Sequence, residues 1–214
     1  MHIILASTSP RRRELVGLYN IAFEFTSADI DETPRAHESP AELVRRLAIA
    51  KATIGAQKFP DAIVVGSDTI VWIDGTILGK PVDAADATRM LKLLRNRAHT
   101  VYSGVTVTHG EKSITQVATT TVWMRNYTDQ EIAAFVATGE PLDKAAAYAI
   151  QANHFRPVDH IDGCFANVMG LPLCHLYRAL KTFGVRVDPP DHACQKHLSI
   201  VCLEAKSVLA EQIL

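Results

Sequence analysis

The run Ala62-Ile63-Val64-Val65-Gly66 constrains this chain more than any other segment. Without polar alternation it cannot leave one face to water, so it predicts a buried strand of the parallel or central-sheet kind. The chain continues through Ser67-Asp68-Thr69 into Ile70-Val71-Trp72-Ile73, then turns at Asp74-Gly75, a strong hairpin signal. An apolar strand thus runs directly into a carboxylate flanked by hydroxyls. Held by a rigid element, an ionised aspartate can bind a divalent cation, activate water, or do both; a strand-end aspartate can also simply cap a turn.

The rest of the chain supplies partners for such a strand. Residues 2–6 read as a short buried strand, and Ser9-Pro10 opens a helix with Ser as N-cap and Pro in the first turn. A strand near Ala22–Thr26 follows, and residues 29–34 are an acidic loop. Ser39-Pro40-Ala41-Glu42 is a capping box that starts a helix over 40–57, with Leu43, Leu47, Ala50 and Ile54 on one face. Asp83 or Asp86 caps a helix reaching Leu94. Residues 99–108 and 113–125 alternate as β-branched strands joined at His109-Gly110-Glu111-Lys112. Thr128–Glu131 is a second capping box whose helix ends at Gly139, and Pro172–Phe183 is a helix stopped by Gly184. Strands, helices and hairpins mixed in this way predict an α/β domain with a mixed sheet over residues 1–188. Pro189-Pro190 marks a break, and residues 189–214 read as an extension, a polar turn and then a helical pattern at Leu198, Val201, Leu209 and Ile213.

Composition narrows the function classes. A chain of 214 residues can bury roughly 70% of its unfolded surface without a metal or disulfide staple. The net charge of −1 gives no field for a nucleic-acid backbone or a membrane, and the basic residues are dispersed among only 7% aromatics. No apolar run approaches the ~18 residues of a membrane helix. The apolar start reaches Arg11-Arg12-Arg13 too soon for a signal peptide, so a cytoplasmic location is expected. Cysteines 164, 174, 194 and 202 form no C-x-x-C pair, and Cys194 with His192 and His197 matches no zinc spacing, so free thiols are expected.

Three groups of residues carry chemistry. In Ser7-Thr8-Ser9-Pro10-Arg11-Arg12 a strand delivers hydroxyls and a helix N-terminus, which favours an anion, and two arginines add forked donors suited to phosphate. Asp68 is the second. The third is a scatter of charges through the middle: Glu32, Lys51, Lys80 after a hairpin, and Glu140-Pro141-Leu142-Asp143-Lys144. Each alone also reads as a capped helix end or a solvated surface charge.

The segments SxSPRR, V-V-G-x-D-T, D-G-x-x-L-G-K-P, A-x-R-M-L, H-x-V-Y-S-G-V, E-P-x-D-K-A and N-V-x-G-L-P-L follow one another in this order from Ser7 to Leu173, within a resemblance that spans roughly residues 2–187. In this the chain resembles the Maf family of nucleoside triphosphate pyrophosphatases, first associated with septum formation. The resemblance implies an elongated mixed sheet flanked by helices, in two lobes with a cleft between them, related to inosine triphosphate pyrophosphatases. It implies cleavage of a nucleoside triphosphate to monophosphate and pyrophosphate with a divalent cation, Mg²⁺ or Mn²⁺. The family's catalytic carboxylate falls on Asp68, its phosphate-binding cluster on Ser7, Arg11, Arg12, Lys51 and Lys80, and an acidic residue beside the metal on Glu32. A homodimer is common in the family.

Three positions separate subgroups of that family. Arg11, Thr69 and Gln151 match the type acting on dTTP and UTP rather than the 7-methyl-GTP type. A Gln amide offers a donor and an acceptor to the edge of uracil or thymine. The family segment K-A-G-A-Y-G-I-Q-G is here Lys144-Ala145-Ala146-Ala147-Tyr148-Ala149-Ile150-Gln151-Ala152, with alanines at 146, 149 and 152 in place of glycines. Each added methyl would narrow the base pocket or shift Gln151. Two rival readings follow from the same residues: a Maf-like regulator of division that binds nucleotide or a protein partner without turnover, and a 7-methyl-GTP pyrophosphatase.

Overall fold

The computed structural model describes residues 2–152 and 154–211. Seven strands form one mixed sheet: β1 Ile3–Ala6, β2 Glu24–Thr26, β3 Ile63–Ile73, β4 Thr76–Leu78, β5 Ala98–His109, β6 Lys112–Met124 and β7 Val158–Asp162. The order is β2-β1-β3-β5-β6-β7, with β4 on the free edge of β3. β1 runs parallel to β2 and β3, and every other pairing is antiparallel. Among the described residues eight α-helices accompany the sheet: α1 Pro10–Val16, α2 Pro40–Lys58, α3 Ala84–Leu94, α4 Asp129–Ala137, α5 Phe165–Met169, α6 Leu173–Thr182, α7 Asp191–Leu198 and α8 Ala205–Ala210. Among the described residues no helix is long and apolar enough to cross a membrane.

The local signals act as their chemistry requires. Ser9, Ser39, Asp83 and Thr128 each cap a helix through the side chain, and both capping boxes close in both directions. The strand from Ala62 differs from its expected form. The apolar runs on either side of Ser67-Asp68-Thr69 are one eleven-residue strand, so Asp68 lies in mid-strand rather than at a strand end. β5 pairs with β3 from Val64 to Trp72, carrying the ladder through the polar residues. On the opposite edge β1 ends at Gly66 and β4 begins at Val71, leaving residues 67–70 without a partner strand.

That gap separates two cores on one face of the sheet. Ile63 and Val65 of β3 join Val105 and Val107 of β5 under α1, α5 and α6. Val71 and Ile73 join Val101 of β5 and Val122 of β6 under α3, α4 and Tyr148. Between them, on the same face by the two-residue period, stand Ser67, Thr69, Ser103 and Thr120. The two lobes expected from the resemblance are these two cores, and the divide is a polar stripe across a continuous sheet.

The other face carries α2, which lies unusually close. A Cβ added at Gly66 would stand 2.3 Å from the Ala48 carbonyl oxygen, and one at Gly104 2.3 Å from that of Val44. Val44, Ala48 and Ala52, small or β-branched, form the helix face that fits against these glycines. The contact brings Lys51 onto the strand at Asp68, whose register partner on β5 is Gly104.

After Pro190 the chain forms two short helices, α7 and α8, where a turn and one helical pattern were expected. α7 is tied to α1 by His197 and Glu14 at 2.7 Å. α8 packs on α6 through Ala205 and Val208 against Cys174. Leu198 and Leu209 pack inward as the pattern implied, whereas Val201 is 83% exposed between the helices. Ile213 lies outside the described residues.

The close helix–sheet contact yields a stability test. Gly66→Ala forces backbone atoms apart and should cost about 2–3 kcal/mol, lowering Tm by roughly 4–9 °C. Gly79→Ala, where an added Cβ meets nothing within 4 Å, should cost under about 0.5 kcal/mol. Equal melting temperatures for the two variants would show that the glycine contact does not govern the packing.

Candidate active site

The site forms around residues 67–70 of β3, whose alternation sends side chains to both faces. On the α2 face Asp68 meets Lys51. Both are almost fully buried, and Lys51 Nζ lies 2.6 Å from Asp68 Oδ1. The same ammonium lies 2.6 Å from Glu32 Oε1, which comes from the acidic loop before α2 and keeps most of its side chain in solvent. One cation therefore bridges two carboxylates. A buried charge needs such pairing, because removing one partner leaves an uncompensated ion in a poor solvent.

On the opposite face Arg12 is fixed by the fold. Its Nε donates to the Gly170 carbonyl at 2.8 Å, Nη2 donates to Thr69 Oγ1 at 3.1 Å, and Nη1 approaches Ser7 Oγ at 3.5 Å. Ser7 also accepts from the Ser9 amide at 3.2 Å, so the end of β1 and the first turn of α1 share one hydroxyl. Burial draws the Arg12 pKa below its ordinary value, Asp68 and Glu32 pull it back up, and Arg11 adds a lowering push. The guanidinium stays charged across the working pH range.

Hydroxyls and carbonyls from β3, β5 and the α5 region form a network behind Arg12. Three donors approach the Gly170 carbonyl: Arg12 Nε at 2.8 Å, Thr69 Oγ1 at 3.2 Å and Ser67 Oγ at 3.3 Å. Thr69 Oγ1 and Ser103 Oγ share a hydrogen bond of 2.8 Å, and Ser103 Oγ also lies within donating distance, 3.2 Å, of the Asn167 carbonyl. Asn167 Nδ2 in turn donates to the Val101 carbonyl and to Thr120 Oγ1, joining β5 and β6. Gly170 sits at φ 113°, a conformation L side chains rarely adopt, and this turns its carbonyl into the network. The polar stripe between the cores is thus a connected hydrogen-bond network that reaches the guanidinium.

Of the residues the sequence nominated, the structure brings Ser7, Arg12, Glu32, Lys51, Asp68 and Thr69 into this one cluster. Arg11 stands beside it on the first turn of α1. Its charge also reaches Asp143 of the second lobe, whose pKa is lowered: burial pushes it up, but the Lys144 bond and the charges of Lys144 and Arg11 outweigh that. Lys80 is exposed just after β4, and Gln151 is half-buried with its Oε1 buried and unpartnered. Neither joins the cluster by a hydrogen bond or ion pair among the described residues.

The alanine segment reaches the same region. The Ala146 amide donates to the Gly79 carbonyl at 2.9 Å, next to Lys80. Ala146 adopts φ 57° and Ala147 φ 61°, both left-handed. Of the three alanines in place of expected glycines, only Ala146 has a positive φ, which costs roughly 1–2 kcal/mol relative to a relaxed backbone.

Ser103, Asn167 and Gly170 were not singled out from the sequence, although all three lie within the ordered segments. Ser103 had a local signal: it interrupts the apolar two-residue period Val101, Val105, Val107 in β5. Asn167 and Gly170 had none, because their role depends on α5 docking over the stripe. Taken together, the cluster offers a fixed guanidinium, a mobile-stemmed ammonium and two carboxylates. Such a set can hold a polyphosphate and ready a water beside it.

Comparison with known proteins agrees over nearly the whole chain. Residues 2–183 match the family model described as Maf, Maf-like protein. A dTTP/UTP pyrophosphatase of Bacillus cytotoxicus is 47% identical over 180 residues, covering 84% of this chain and 94% of that protein. One of Dictyoglomus turgidum is 46% identical over 185 residues, covering 85% and 96%. One of Pelotomaculum thermopropionicum is 44% identical over 187 residues, covering 86% and 98%. With its ordered segments, its two-core mixed sheet and relatives of this identity, the chain belongs to the Maf family.

Proposed function

We propose that this chain hydrolyses dTTP and UTP to the monophosphate and pyrophosphate, with Asp68 as the group that readies the attacking water. The observation that carries this reading is the buried Asp68 carboxylate, held 2.6 Å from Lys51 opposite a guanidinium locked by three fold-derived acceptors. The names of the similar proteins support the substrate, as do Arg11, Thr69 and Gln151 at the subgroup positions.

The residues divide the work by position. Arg12 and Ser7, with the amides that open α1, face an anion and cannot drift, so they orient the triphosphate. Arg11, Lys51 and Lys80 supply further positive charge against the developing pyrophosphate. Asp68 accepts the proton of water attacking the α-phosphorus. Gln151, with its unpartnered Oε1, is suited to reading the base edge.

A divalent cation fits the donor set. Glu32 and Asp68 offer hard oxygen ligands, and their oxygens already converge on a cation, the Lys51 ammonium. Among the described residues no group of three or more His, Cys, Asp or Glu is gathered to hold a metal, so water and phosphate oxygens would complete the shell. When bound there, Mg²⁺ or Mn²⁺ would neutralise phosphate charge and lower the pKa of a bound water.

Two measurements bear on the reading. Asp68→Asn should keep the fold and lower kcat by about a thousandfold or more, followed by pyrophosphate release; above a tenth of wild-type activity, Asp68 would not be the base. Across a panel of triphosphates, kcat/KM for dTTP and UTP should exceed that for 7-methyl-GTP by about tenfold or more. The opposite order would assign the chain to the methylated-guanine type.

A further inference from the structure

The two cations at the centre of the site are held in different ways. Arg12 is bound by a backbone carbonyl and two hydroxyls, all neutral and all part of the fold. Lys51 is bound by two carboxylates and nothing else among the described contacts. Its ammonium sits 2.6 Å from Asp68 Oδ1 and 2.6 Å from Glu32 Oε1, between the two carboxylates that would hold a divalent ion. We propose that Lys51 is a built-in counter-cation: a divalent ion can take the Glu32 and Asp68 oxygens only when Lys51 leaves them, and Lys51 leaves them for the phosphates of the substrate. This rests on the metal-dependent reading above and goes beyond it, because it sets the order of events.

The physics of the exchange is electrostatic. An ammonium and a divalent ion sharing two carboxylates repel at contact distance, and little water screens them where Lys51 and Asp68 are almost fully buried. Lys51 cannot withdraw alone, since a buried ammonium without an anion is costly. A triphosphate removes that obstacle. It brings oxygens for the ammonium, whose third N–H is not used by the two carboxylates. The lysine stem has the freedom for the move, being an unbranched chain of four methylenes rooted on a rigid helix. Glu32 can open the way, because it stands on a loop with 60% of its side chain exposed.

The consequence is reciprocal coupling. The nucleotide-free protein binds metal weakly because Lys51 already neutralises the carboxylates, and whatever draws Lys51 away raises metal affinity. Removing the ammonium by mutation should therefore tighten metal binding in the absence of any nucleotide. A lysine that only supports the fold, or only binds phosphate, would give no such gain.

The test is an electron-paramagnetic titration of free Mn²⁺ with the full-length protein and no nucleotide. Lys51→Met should bind Mn²⁺ about tenfold or more tightly than wild type, and adding Asp68→Asn to that variant should return the affinity to within about threefold of wild type. Lys51→Gln, which keeps a donor for Asp68, serves if Lys51→Met does not fold by circular dichroism. Affinity unchanged or weakened in the folded lysine variant would overturn the proposal. On wild type, the resonance of isotope-labelled Lys51 ammonium should stay in place with millimolar Mg²⁺ alone and move when α,β-imido-dTTP is added with it; movement with Mg²⁺ alone would also overturn it. A wild-type protein that released no pyrophosphate from any triphosphate would defeat the functional reading instead, and the Mn²⁺ titration would remain interpretable.

Discussion

Helix α2 lies against β3 and β5 where Gly66 and Gly104 put no side chain between the backbones, and the site depends on that contact. A methyl at either glycine would push the helix outward, and Lys51 would lose its reach to Asp68. The two charges are buried together because the helix is close, and burial keeps their pairing strong. One steric constraint, the absence of Cβ atoms at two strand positions, therefore sets an electrostatic arrangement on that face of the sheet.

The opposite face follows a different constraint. Each lobe has an apolar core, and the sheet passes uninterrupted beneath both, so the boundary between them must be polar without breaking the ladder. Ser67, Thr69, Ser103 and Thr120 form that boundary, with Asn167 over it. The stripe is a connected hydrogen-bond network, and Thr69 and the Gly170 carbonyl link it to the Arg12 guanidinium. Preorganisation of this kind is what phosphate chemistry asks of a protein: charges already oriented before the substrate arrives.

Much of this was legible in the sequence where the controlling physics is local. The helix starts at Ser9, Ser39 and Thr128 depend on side chains within three residues of each cap. The Asp74-Gly75 hairpin likewise needs only its own turn. Asp68 was expected at a strand end and lies in mid-strand, because periodicity cannot tell a strand that ends at a polar triplet from one that carries it to a neighbouring edge. β7 and α5 gave no usable signal: Val158–Asp162 is polar and mostly exposed, and five residues are too few for a helical period. Six of the nominated site residues converge: Ser7, Arg12, Asp68 and Thr69 lie in ordered motifs at α1 and β3, while Glu32 and Lys51 stood outside those motifs as single charges. Ser103, Asn167 and Gly170 stayed hidden as individuals because their roles exist only once α5 covers the stripe.

The alanines at 146, 149 and 152 look alike in sequence and differ in structure. Ala146 takes a left-handed backbone and bonds to Gly79, while the other two lie in ordinary regions. The departure from the family pattern therefore bears on the loop beside Lys80 more than on the cluster at Asp68, and the account of the reaction stands on the latter. The proposed reaction turns on attack by water at the α-phosphorus. Turnover of dTTP in water enriched in heavy oxygen, followed by mass spectrometry of both products, tests this most directly. The label should appear in the thymidine monophosphate and be absent from pyrophosphate; label in the pyrophosphate, or release of orthophosphate in its place, would contradict the account.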